Sequence, residues 1–188
     1  MRHSFSFAFV LVASPLADVR ADEPPRVCRD PLADWRIDTG ELRRGAQCGT
    51  FIATTNASTG TFSYAQITRR TPVELPYEFQ VTWRSLTNNG PLELVLLGSI
   101  VLLSADNCGL FFSNESFDWI PLPGYRTQQE HTVMVRQDAK EVTLFVDGVK
   151  AHTWAFAATN TRGEVAVAMK GPRGNRARLL FRDAQVRP

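Results

Sequence analysis

The sequence predicts an all-β protein, an antiparallel two-sheet sandwich of the jelly-roll kind. Three observations predict it: apolar residues recur with period two, turn signals separate the runs at short intervals, and no stretch keeps a 3.6-residue period over three helical turns. Phe79, Val81 and Trp83 alternate with Gln80, Thr82 and Arg84. Leu92, Leu94 and Leu96 share the face of another run. Val133 and Val135 alternate with Thr132, Met134 and Arg136, and Val142, Leu144 and Val146 with Thr143 and Phe145. Val165 and Val167 repeat the pattern near the end. Such alternation sends one face of each strand into a core and leaves the other outside. Trp83, between Thr82 and Arg84, and Trp154, following the polar Thr153, are expected in the core.

The turns are chemically explicit. Asn88-Asn89-Gly90-Pro91 and Asp147-Gly148 supply residues that tolerate positive φ, as tight hairpins require. Asn56 to Gly60, Asp138-Ala139-Lys140 and Gly171 to Asn175 close other strand pairs. There is no repeat of fixed period and no low-complexity tract.

Composition narrows the function. A chain of 188 residues with 44% hydrophobic content supports one globular core and is too apolar for disorder. Its 21 basic and 19 acidic residues leave a formal charge of +2, spread along the chain, so nucleic acid is not an expected partner. The one basic stretch holds Arg173, Arg176, Arg178 and Arg182 and reads as a solvated strand-and-turn face, because only Phe181 interleaves with it.

Residues 1–21 read as a secretory signal peptide. Arg2 and His3 precede an apolar run from Phe5 to Ala13, and Val19-Arg20-Ala21 forms the cleavage site. That run is too short to span a bilayer, and so is the interrupted one from Leu92 to Leu103. Residues 22–29 form a Pro- and charge-rich leader, and residues 30–188 the domain. The expected location is secreted, periplasmic or extracellular. In an oxidising space, Cys28, Cys48 and Cys108 allow one disulfide in three pairings. Cys48 with Cys108 is favoured, since both lie in strand-like sequence. Two sequons, Asn56-Ala57-Ser58 and Asn114-Glu115-Ser116, would carry glycans only in a eukaryotic host.

The segment His131 to Trp154, HTVMVRQDAKEVTLFVDGVKAHTW, reads as strand, turn, strand ending in Val-Asp-Gly, then a third strand. It resembles the hairpin of the concanavalin A-like lectin/glucanase superfamily, which includes laminin-G-like and keto-disaccharide-hydrolase-like jelly rolls. Leu179 to Val186 is similar to the last strand of those domains, and Asp30 to Trp35 to their entry segment. The resemblance implies a fold. It does not choose among lectin, hydrolase, adhesion module and sensor.

For chemistry, a jelly-roll glucanase sets two carboxylates on one strand face, roughly 5–5.5 Å apart in a retaining enzyme. The Glu-x-Asp-x-x-Glu arrangement is absent, and Glu115 and Asp118 fall on opposite faces of a strand. His131 and His152 are the histidines past the signal peptide, and either beside a carboxylate such as Glu130 or Asp118 has acid–base capacity. Strand histidines on the surface are the more ordinary reading. Asp106-Asn107 and Asn88-Asn89 offer loop oxygens to calcium, but turn chemistry explains them equally well. No cofactor is expected.

Sugar recognition needs an aromatic plate beside polar groups. Phe117-Asp118-Trp119, followed by a proline-rich stretch to Tyr125 and Arg126, is the best candidate, with the polar face of Gln80, Thr82 and Arg84 as an adjacent groove. The competing reading has Trp119 and Tyr125 plugging one end of the core. The sequence therefore points first to a secreted, non-catalytic binding module for carbohydrate or an extracellular partner, with Trp119, Tyr125, Arg84 and Arg126 as contacts. The alternatives are a glycoside hydrolase of the keto-disaccharide type, or a structural or adhesive envelope protein without a small-molecule site. Convergence of Glu93, Asp118 or Glu130 in one cleft would favour the hydrolase.

Overall fold

The computed structural model describes residues 33–47, 49–56, 62–87, 90–112, 118–173 and 176–188. The signal peptide and leader, Cys28, Cys48, Asn88-Asn89 and the Asn114 sequon lie outside those residues. The described residues contain strands and no helix, so none contains a helix long and apolar enough to cross a membrane. In chain order the strands are β1 (Trp35–Thr39), β2 (Glu41–Arg44), β3 (Thr50–Thr54), β4 (Phe62–Arg69), β5 (Val73–Glu74), β6 (Tyr77–Ser85), β7 (Leu92–Val95) and β8 (Ser99–Ser104). They continue with β9 (Asn107–Phe112), β10 (Asp118–Pro121), β11 (His131–Gln137), β12 (Glu141–Val146), β13 (Val149–Ala155), β14 (Arg162–Gly163), β15 (Ala166–Arg173) and β16 (Arg178–Arg187).

These strands form a two-sheet jelly-roll sandwich. The front sheet has the order β1-β4-β15-β7-β8-β9-β10 and the back sheet β13-β12-β11-β6-β16-β3-β2, while β5 and β14 make a small ribbon. Every pairing is antiparallel. The last two long strands sit in the middle of the sheets, β15 between β4 and β7 and β16 between β6 and β3. Closing the core thus requires the C-terminal residues, and the crossing connections are those of a jelly roll.

The period-two pattern maps directly onto the layers. Phe79, Val81 and Trp83 of β6 meet Leu92, Leu94, Val101, Leu103, Val133, Val135 and Phe181 in the core. Trp35 stacks on Phe79 with ring centroids 5.7 Å apart. Trp154 is buried as the alternation requires. One polar side chain crosses between the layers. Gln137, at the end of β11 in the back sheet, is fully buried, accepts from the Tyr77 hydroxyl at 2.5 Å and from Leu97 N at 3.2 Å, and donates to the Leu97 carbonyl at 2.9 Å. Both ends of its amide are satisfied, so it staples the back sheet to the β7–β8 turn without leaving a buried group unpaired.

The Asp147-Gly148 turn joins β12 to β13 with φ of 51° and 79°, the left-handed values the dipeptide was chosen for. Cys108 is a free, fully buried thiol on the inner face of β9, and burial pushes its pKa up to about 11. The expected pairing involves Cys48, which lies outside the described residues. Strand-like sequence at both cysteines says nothing about which way each side chain faces, and Cys108 faces the core.

Candidate functional site

The outer face of the front sheet carries an unusual set of side chains. Register defines it, because residues directly opposite in an antiparallel pair lie on the same face. One row runs Gln66–Ala168–Glu93–Leu102–Gly109–Trp119 across β4, β15, β7, β8, β9 and β10. The next runs Arg36–Thr68–Ala166–Val95–Ile100–Phe111. Neither Ala166 nor Ala168 belongs to the core, yet they are 2% and 1% exposed, and Glu93 is 9% exposed. The centre of this face is therefore recessed from solvent although it points away from the core.

The recess is polar on one side. Ala168 is small enough for the Tyr64 side chain to pass over β15, and the Tyr64 hydroxyl donates to Glu93 Oε2 at 2.9 Å. Burial, and then the charge of Glu93, push the Tyr64 pKa up, so the phenol remains a neutral donor. On β1, Asp38 accepts from the Thr68 hydroxyl, from Gln66 Nε2 at 3.0 Å and from Arg36 Nε at 3.0 Å. Burial alone would raise the Asp38 pKa, but the bonds from Thr68, Gln66 and Arg36 together hold it below the usual carboxylate value. Arg36 also grips Glu164 through two parallel bonds of 2.8 and 2.7 Å. Its guanidinium is thereby committed to protein carboxylates.

The other side is apolar and aromatic. Ile100 and Leu102 are half-buried, and Phe111 and Trp119 are 38% and 48% exposed. They occupy diagonal positions on β9 and β10, within reach of one another. Trp119 lies three strand spacings from Glu93 and five from Gln66, about 14 and 24 Å. The face is thus a strip with an aromatic plate at one edge and hydrogen-bonding groups toward the other.

The structure does not bring together the four residues expected as contacts. Trp119 stands on the front outer face. Arg84 stands on the outer face of the back sheet, on the far side of the core. Tyr125 is 3% exposed and stacks on His131 at 4.4 Å, with Trp83 at 6.4 Å, so it plugs the end of the sandwich. Arg126 lies at that same end, where its Nη1 binds Asp106. The sequence places Trp119, Tyr125 and Arg126 within eight residues, but β10 ends at Pro121 and the chain then turns inward. Asp106 accepts from Arg126 and from Gly124 N at 3.1 Å in a left-handed turn with φ of 59°, which is turn chemistry.

That end also holds a cavity of about 240 Å³ lined by Leu122, Tyr125, His131, Val146, Asp147 and Val149, among others. His131 is buried rather than a surface histidine. Its Nδ1 faces Asp147 Oδ2 at 2.7 Å and its Nε2 the Arg126 carbonyl at 3.1 Å, so both ring nitrogens are engaged within the protein and neither is presented to a substrate. His152 packs edge-on against Trp154 at 4.9 Å. Glu93, Asp118 and Glu130 do not converge: Glu93 lies on the front outer face, Asp118 on edge strand β10 opposite the inward-facing Leu110, and Glu130 pairs with Arg182 on the back. On the front face itself Asp38 and Glu93 are separated by three strand spacings, about 14 Å. That exceeds the roughly 5–9.5 Å of two-carboxylate glycoside hydrolysis. Among the described residues no group of three His, Cys, Asp or Glu side chains is placed to hold a metal.

Tyr64, Gln66 and Thr68 were missed by the sequence reading. A signal existed, since they alternate with Ala65 and Ile67. The apolar partners are too modest to announce a core strand.

No family model matches the chain, and no curated protein does. Solved structures do. An alginate lyase of polysaccharide lyase family 7 superposes with a TM-score of 0.63 at 7% identity, covering 83% of this chain and 94% of that one. A carbohydrate-binding module from Bacillus subtilis gives 0.59 at 11% identity, covering 82% and 96%. A sialidase gives 0.62 at 11% identity, and the chain spans only 17% of that protein. At such identities the likeness defines the fold class alone: an antiparallel, two-sheet jelly-roll sandwich.

Proposed function

We propose that this chain is an extracellular carbohydrate-binding module that lays a glycan across the outer face of its front sheet. The observation that carries the reading is the recessed row from Gln66 through Glu93 to Trp119. A sugar ring has apolar C–H faces and a rim of hydroxyls. Trp119 and Phe111 provide the plates, and Gln66, Tyr64, Glu93 and Asp38 the donors and acceptors, already oriented by their mutual bonds. Two of the similar folds are named for carbohydrate binding or for a polysaccharide lyase, which supports the class of ligand.

A glycan-array screen of the purified protein tests this, followed by titration calorimetry on the best ligand. Trp119→Ala should weaken binding by about 1.5–3 kcal/mol, roughly ten- to hundredfold, with stability changed by no more than about 0.5 kcal/mol. Arg136→Ala, on the opposite face, should leave sugar binding unchanged. Equal loss in both variants, or no glycan bound at all, rejects the reading.

A further inference from the structure

The back sheet also has an outer face, and its charge is not balanced. On β16, Leu180 lies opposite Arg84 of β6 and opposite Ile52 of β3, which in turn lies opposite Arg43 of β2. Arg178 and Arg182 flank Leu180 two residues to either side on the same strand face. Arg84 therefore has an arginine on each diagonal, and such neighbours lie about 7–8 Å apart. Against these four arginines the described side chains set two carboxylates. Glu130 takes Arg182, and Glu41 lies 3.2 Å from Arg43 and also within reach of Arg176 at 3.7 Å. Among the described residues no carboxylate pairs with Arg84 or Arg178, and both are exposed. The Nε of Arg182 has no hydrogen-bond partner. Like charges crowded on one sheet face cost stability, so a balanced chain has no folding reason to gather them.

We propose that this arginine cluster is a second binding surface, which docks the protein on an acidic polysaccharide through Arg84, Arg178 and Arg182. Planar guanidinium forks match the carboxylate or sulfate groups of such a polymer in pairs. The arginines sit along and across the strands, so a linear polyanion can follow them. The face suits a bilayer or a nucleic acid less well. Among the described residues the large apolar side chains that stand exposed are Ile37, Leu86, Phe111, Trp119 and Val149, and of these only Leu86 adjoins the cluster, through Leu86 N to the Arg178 carbonyl at 2.8 Å. Among the described residues no exposed aromatic side chain stands between these arginines to stack a base.

The test uses the full chain on immobilised polygalacturonate, with neutral dextran, anionic phosphatidylglycerol vesicles and a single-stranded oligonucleotide in parallel. The wild-type protein should be retained on polygalacturonate and not on dextran under low salt, and released as ionic strength approaches about 0.15 M. R84Q/R178Q should bind at least tenfold more weakly while melting at the same temperature or higher, since the substitutions relieve repulsion. Glu130→Gln, which frees Arg182, should bind more tightly. The proposal falls if the wild-type protein does not bind polygalacturonate at low salt. It falls equally if the double variant binds as well as wild type, or if vesicles or the oligonucleotide are preferred.

Discussion

The two outer faces of the sandwich are built from the same alternating pattern and end up with opposite character. On the front, the central positions are alanines at 166 and 168, and the polar groups around them bond to one another: Tyr64 to Glu93, and Thr68, Gln66 and Arg36 to Asp38. On the back, the same positions of β6 and β11 hold Glu78, Gln80, Thr82, Thr132, Met134 and Arg136, half-buried or exposed. There the prominent contacts are ion pairs such as Arg136 to Glu78 at 2.5 Å. Small residues make a recess in which hydrogen-bonding groups are desolvated and held in place. Long charged ones make a solvated surface that reads only net charge. The first arrangement suits a ligand recognised by shape and hydroxyl pattern, the second a polymer recognised by charge.

Substitutions can break this contrast. The largest effect is expected from Ala168→Leu. A branched side chain between Tyr64 and Glu93 fills the recess and severs their bond, so sugar binding should fall by more than a hundredfold in calorimetry, with about 1–3 kcal/mol lost from stability. Tyr64→Phe is gentler in shape but leaves the recessed Glu93 carboxylate without its donor. Denaturant melts should show a loss of about 1–3 kcal/mol, and sugar binding should weaken with it.

Acid titration sharpens the contrast in a different way. The folded pKa of Asp38 lies below its unfolded value, because the bonds from Thr68, Gln66 and Arg36 outweigh burial. Its contribution to stability is therefore complete above the unfolded pKa, about 4, and disappears as pH falls through the folded value. Asp38→Asn should lower the melting temperature at neutral pH and flatten the acid limb of the profile below about pH 4, so that variant and wild type converge in acid. An unchanged acid limb would mean that the Asp38 cluster is not formed. The smallest effect is expected on the back, where Arg136→Ala removes an exposed pair. Stability should change by no more than about 1 kcal/mol and sugar binding not at all.

The region around Trp119 shows where reading from sequence stopped. Trp119, Tyr125 and Arg126 are close in the chain and have suitable chemistry, so the sequence alone groups them. Pairing of β10 with β9 turns Trp119 outward, whereas the segment after Pro121 folds back and buries Tyr125 against Trp83 and His131. The polar half of the strip was hidden for the converse reason. Tyr64 and Glu93 are 29 positions apart and come within one hydrogen bond only because β15, from residues past 165, pairs between their strands.

The sequence by itself determined the alternating strands, the two-layer core and the turns at Asp138-Ala139-Lys140 and Asp147-Gly148. Those follow from side-chain alternation and backbone preference, which are local properties of neighbouring residues. It also determined that Trp83 and Trp154 lie inside. Only the tertiary structure decided the company each outward residue keeps, because that depends on which strands lie side by side. A formal charge of +2 spread along 188 residues reads as balance. Strand order gathers arginines from positions 43, 84, 178 and 182 on one face and a tyrosine, a glutamine and two carboxylates on the other.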